Sequence, residues 1–198
     1  MPSKPTALSG STTHSVPNGS RSNGSAVYSA PTWVACWFII STALVAWDTG
    51  FVFMRPRSFK GGDLHWLWSP YALYELTDLV YSPGAFARKE GFTSAQALMN
   101  IFESILNLAY LALAGQKSPV AVLVGFTAVV MTAAKTVLYW LVDQQSGWAS
   151  TGHNTPRDWF WLFAVPNGAW IVFPTLLAFM FGREIARSLR LAAKQKVL

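Results

Sequence analysis

Four apolar runs, Trp33–Met54, Ala95–Ala114, Pro119–Val142 and Trp159–Phe181, leave this chain little choice of fold class. Each reaches the roughly 20 residues that a helix needs to cross about 30 Å of hydrocarbon. Only closed barrels and helices satisfy their backbone there, and runs this long are helical rather than strand-like. The expectation is an all-α membrane protein, a four-transmembrane-helix bundle with a polar-lined internal cavity and a long connection between helices one and two. Composition agrees: 52% of the residues are hydrophobic and 12% charged, against roughly 25% charged in soluble domains.

The chain divides into a Ser-, Gly- and Pro-rich tail over residues 1–32, a membrane domain over 33–190, and a basic C-terminal tail over 191–198. The first segment has the composition of a disordered tail and lacks the apolar core of a cleavable signal, so helix one is expected to do the targeting. The net charge of +6 comes partly from Arg183, Arg187, Arg190, Lys194 and Lys196, which follow helix four. Basic residues beside a span belong to cytoplasmic flanks and lipid headgroups, so nucleic acid is not an expected partner. The face shared by the termini holds more basic residues than the other, which places both termini in the cytoplasm. Lys194 and Lys196 near the C-terminus are similar to a dilysine retrieval signal of the endoplasmic reticulum. Asn18 and Asn23 form glycosylation sequons, and sugar on either reverses the orientation.

Within the spans lie residues that hydrocarbon does not tolerate: Asp48 in helix one, Glu103 in helix two, Lys135 in helix three and Asn167 in helix four. A charge at membrane depth costs several kcal/mol unless it faces protein, water or a partner, so the carboxylates Asp48 and Glu103 are candidates for a functional site. Counting 1.5 Å per residue from the nearer ends puts all four roughly 9 to 12 Å inside one face. Gln96, Asn100, Glu103 and Asn107 recur at spacings of four, three and four, one side of a helix. Thr132, Thr136, Tyr139 and Asp143 do the same on helix three. These stripes must face a bundle interior. A structural alternative pairs Glu103 with Lys135 and leaves Asp48 without a cation.

The connection from Arg55 to Ser94 carries Trp66, Trp68, Tyr71, Tyr74 and Tyr81, suited to a partly helical segment lying on the membrane or capping the bundle. Glu75 and Asp78 within it are expected on a solvated helix face. Cys36 is the single cysteine, and His14, His65 and His153 share no ligand spacing, so neither a metal nor another cofactor is expected.

The pattern resembles the EXPERA domain family, which includes emopamil-binding sterol isomerases and the sigma-2 receptor. The likeness rests on Cys36-Trp37-Phe38 followed by Asp48, on Tyr74-Glu75-Leu76-Thr77-Asp78, and on Met99-Asn100-Ile101-Phe102-Glu103-Ser104. It continues through Tyr139-Trp140, Gly147-Trp148 and Pro166-Asn167-Gly168-Ala169-Trp170, with Pro174 a turn further. The resemblance implies an endoplasmic reticulum protein with a cavity for a sterol-like or terpenoid amphiphile, entered from the bilayer. It implies a ring double-bond shift with Asp48 and Glu103 as the acidic pair. Asn100, Asn107, Tyr139 and Asn167 would then contact substrate, with Trp170 as a cation-facing wall. The isomerases carry a histidine one turn before their helix-one acid. Here that position is Leu44, which is similar to the sigma-2 branch, where the same cavity binds ligands without catalysis. The expected partners are this small molecule, membrane lipid and a second copy of the chain.

Overall fold

The computed structural model describes residues 30–195. The first 29 residues of the expected tail, both sequons, His14 and Lys196 lie outside the described residues. Among the described residues the chain is helical and forms no strands. Four helices are long and apolar enough to span a bilayer: α1 (Thr32–Phe53), α4 (Phe92–Gly115), α5 (Ala121–Gln145) and α6 (Pro156–Gln195). Two short helices, α2 (Tyr71–Thr77) and α3 (Pro83–Ala87), lie in the connection between α1 and α4. The protein is a multi-pass four-helix membrane bundle.

Local chemistry explains where the elements stop. Pro31 takes the extended backbone that precedes a helix, and Pro56 follows the end of α1, where a ring without an N–H cannot continue the ladder. Ser82 and Thr155 accept from the backbone N–H groups of Ala85 and Asp158, capping α3 and α6. The last helix does not end at Phe181 but runs on to Gln195, because Arg, Leu, Ala and Lys there are good helix formers. The basic segment after the span is therefore helix up to that point.

Around the bundle α1 packs on α4, α4 on α5, and α5 on α6. Two packed zones result. At one end Val34 and Phe38 meet Tyr110, Val122, Val129, Leu177 and Phe181. Gly125 permits this closeness, since a Cβ there would lie 2.7 Å from the Tyr110 ring. Lipid tails are as apolar as leucine, so such packing is stabilised by van der Waals contact more than by release of water. Outward residues such as Ile40, Phe102, Leu123, Leu138 and Phe179 remain exposed, forming the lipid-facing surface.

At the other end the connection folds over the bundle as a lid. Phe51 and Val52 of α1 pack with Phe59, Trp68, Tyr71 and Ala97. Trp68 Nε1 donates to the Trp47 carbonyl at 2.8 Å, and Trp47 Nε1 returns a bond to the Leu67 carbonyl at 3.0 Å. Thr93 Oγ1 donates to the Val80 carbonyl, and Asn154 Nδ2 to that of Thr77, so α4 and the α5–α6 loop brace the lid. Asp143 organises that loop by accepting from Ser150 N at 2.8 Å and Thr151 Oγ1 at 2.5 Å. The expected capping segment is present, but Glu75 and Asp78 are not on a solvated face. They retain only 6% and 1% of their exposure, Asp78 because it is turned toward Tyr139 of α5 and Glu75 because the connection folds around it near His65 and Lys60.

Candidate functional site

Between the packed end and the lid lies a chamber of about 510 Å³, with walls from α1, the connection, α4, α5 and α6. Its volume falls in the range of roughly 300–1,000 Å³ typical of sites for drug-sized ligands. The chamber is open on one side, and Leu44 and Leu73 of its wall are 49% and 56% exposed. Beside the chamber α1 meets α6 through aromatic side chains: Trp37 lies 5.3 Å from Trp170 and stacks on Phe173 at 4.9 Å.

The local shape of α6 follows from its prolines. A π-helical turn over Trp159–Ala164 precedes Pro166, whose ring opposes an ordinary i−4 hydrogen bond to Leu162. Both Leu162 and Pro166 line the chamber. One residue on, Asn167 Nδ2 donates to the Phe163 carbonyl at 2.9 Å and to Tyr74 Oη at 3.2 Å. Pro174, inside the helix and buried, likewise withdraws the donor from the carbonyl of Trp170, another wall residue.

Asp48 is held from two directions. Tyr71 Oη donates to Oδ1 at 2.5 Å, and Asn100 Nδ2 donates to Oδ2 at 3.1 Å. The other end of the Asn100 amide accepts from Lys135 Nζ at 2.5 Å, and the same ammonium lies 3.1 Å from Glu103 Oε2. One amide therefore links a tyrosine-bound carboxylate to a buried ion pair. Gln96 Nε2 donates to the backbone carbonyl of Lys135 at 2.9 Å, fixing α5 against α4 at this level.

A second polar chain joins the lid to α5 and α6. Tyr139 Oη donates to Asp78 Oδ2, and Tyr74 holds Asn167. Burial pushes the Asp78 carboxyl up to about 7, opposed by its bond from Tyr139. Burial also raises the Tyr71 and Tyr74 hydroxyls above their usual range, assisted by the carboxylates of Asp48 and Asp78 respectively. Both phenols therefore remain protonated donors.

Of the residues expected from sequence, Asp48, Asn100, Tyr139, Asn167 and Trp170 share the chamber wall. Glu103 and Asn107 do not. Glu103 is 1% exposed and paired with Lys135, so it reaches the chamber only through Lys135 and Asn100. Asn107 is buried further along the same helix face, donating to Thr42 Oγ1 at 3.1 Å. Pairing of Glu103 with Lys135 was the structural alternative, and here it coexists with a cavity. Asp48 indeed lacks a directly bonded cation; Tyr71 and Asn100 satisfy it instead.

Tyr71, Tyr74 and Lys135 were not assigned to the site from sequence. Tyr71, Tyr74 and Asp78 recur at helical spacing, and that stripe is the signal of an inward-facing lid. The assembled wall offers one partly accessible carboxylate, one ammonium, four phenols and three amides among apolar residues. Such a set can bind an amphiphile by its rings and move a proton at one end. No protein-family model matches the chain, and no curated protein matches it significantly.

Proposed function

We propose that the protein is an EXPERA-type membrane protein of the endoplasmic reticulum, with both termini cytoplasmic. It binds a sterol- or terpenoid-like amphiphile and shifts a ring double bond by proton transfer at Asp48. The observation that carries this reading is the position of Asp48: on the wall of an open chamber between the spans, with Tyr71 and Asn100 orienting its two oxygens. A carboxyl fixed against a ring system can carry a proton between two of its carbons and end as it began, with no cofactor required by the atom balance. Glu103 acts on this site indirectly, by holding Lys135. The basic residues Arg183, Arg187, Arg190 and Lys194 on the extension of α6 support the cytoplasmic placement of the C-terminus.

A second reading, sterol or lipid binding without catalysis in the manner of the sigma-2 receptor, is favoured by one observation. Both Asp48 oxygens already accept hydrogen bonds, as suits a fixed counter-charge. Expression in microsomes with candidate sterols and mass spectrometry of the products separates the two. Turnover by wild type that is lost in Asp48→Asn supports the isomerase. Binding of a photoreactive sterol without turnover, abolished by Asp48→Asn, supports the binding protein.

A further inference from the structure

Lys135 has a role that neutralising Glu103 does not explain. A lysine in a span ordinarily snorkels toward the headgroups, yet this side chain is only 15% exposed and its ammonium is held inside the bundle. Asn100 Oδ1 accepts from it at 2.5 Å, while Glu103 Oε2 lies 3.1 Å away as an ion-pair partner without a hydrogen bond, so the ammonium keeps donor capacity to spare. Lys135 belongs to the chamber wall, as Asp48 does, whereas Glu103 does not, so a bound molecule meets the lysine of this ion pair rather than its acid. A buried ion pair is often no more stabilising than two well-packed apolar residues. A charge of this kind on a cavity wall therefore calls for a ligand.

The sign of that charge selects the ligand. An ammonium opposes a carbocation beside it and favours an oxygen that gains negative charge. Asn100 holds Lys135 and Asp48 one amide and two hydrogen bonds apart, which places a base and an oxyanion donor on one wall. Isomerases that move a double bond beside a carbonyl divide their labour in this way, with an aspartate base and separate donors to the enolate oxygen.

Resting on the assignment of Asp48 as the proton-transfer group, we infer that Lys135 binds the substrate oxygen and that the substrate is a carbonyl-bearing polycyclic or terpenoid lipid. Its double bond moves into conjugation with that carbonyl. The Asp48 carboxylate takes a proton from the carbon between the carbonyl and the double bond. The C–H electron pair becomes a new C=C bond, and the carbonyl π pair moves onto oxygen, where Lys135 donates to it. The dienolate then collapses: the carbonyl re-forms, the double bonds shift, and the far alkene carbon takes the proton back from Asp48. Nothing is oxidised or reduced, and Asp48 ends as it began.

The test uses full-length protein in nanodiscs with two photoreactive probes, a 5-ene-3-keto steroid and its 3-deoxo counterpart. Wild type is expected to bind the keto probe about ten- to a hundredfold more tightly, the worth of a hydrogen bond from a charged donor. Equal affinities overturn the inference, whatever the variants do. Removing the ion pair as a neutral unit, Lys135→Met with Glu103→Gln, is expected to erase that preference while leaving the deoxo probe unchanged. Retention of the preference in that double variant also overturns it. Failure of the underlying reading looks different: wild type binds neither probe, or Asp48→Asn moves the keto probe's double bond at the wild-type rate.

Discussion

Asp78 of the lid accepts a hydrogen bond from Tyr139 of α5, so the connection is tied to the chamber wall by a carboxyl that is 1% exposed. Burial holds this group at about 7, well above its ordinary 3.8. Between those values the folded chain retains a proton that the unfolded chain has released. Stability from this group is therefore greatest at the acidic end of that window and declines as pH rises through it, by on the order of 4 kcal/mol at most.

Asp78→Asn keeps an acceptor for Tyr139 and removes the titration. Thermal unfolding in nanodiscs across this window should show the variant gaining on wild type as pH rises, with the difference flat above about pH 7. Parallel curves for the two proteins would rule out Asp78 as the source.

Asn100 serves Asp48 with its donor and Lys135 with its acceptor. Asn100→Leu leaves both charged groups short of a partner and is expected to cost about 2–4 kcal/mol, since each abandoned buried polar group costs about 1–3 kcal/mol. Chemical denaturation in mild detergent reads the loss. A change below about 0.5 kcal/mol, the size of an ordinary surface substitution, would mean that the amide is not the bridge.

Lys135→Met or Glu103→Gln alone strands part of a buried ion pair, for which losses of about 3–5 kcal/mol are usual. Removing both partners together should recover much of that loss. The double-mutant cycle is the measurement, and additive losses would show that the two side chains are not coupled.

Gly50 of α1 admits the Trp68 ring, and a Cβ there would come within 2.8 Å of Trp68 Cζ2. Gly50→Ala should therefore displace the lid at a cost of about 1–3 kcal/mol. Faster amide exchange in residues 64–81 than in α5 would localise the effect; uniform acceleration would point to the bundle instead.

The bundle was legible because spanning helices obey a length rule, and the α4 stripe because Gln96, Asn100, Glu103 and Asn107 fall on one helical side. Depth counting placed Asp48, Glu103, Lys135 and Asn167 near one level. It did not say which of them met a cavity. Glu103 and Asn107 carry the same sequence signal as Asn100, yet only Asn100 lines the chamber. Lys135 of α5 takes up Glu103 and Thr42 of α1 takes up Asn107, and spacing records neither contact. The lid was harder still: by sequence Tyr71 and Tyr74 suit the headgroup region and Asp78 a solvated helix face, and the docking of Trp68 against Gly50 of α1 turns the segment inward.

By itself the sequence determined the solvent, the four spans and the obligation of certain polar residues to face inward, because hydrocarbon offers backbone and charge no alternative. Tertiary structure alone decided which of those residues share a chamber, how Asn100 joins Asp48 to Lys135, and how the connection closes over them. Those outcomes depend on contacts between segments far apart in the chain, where close packing admits one arrangement and local pattern carries no record of it.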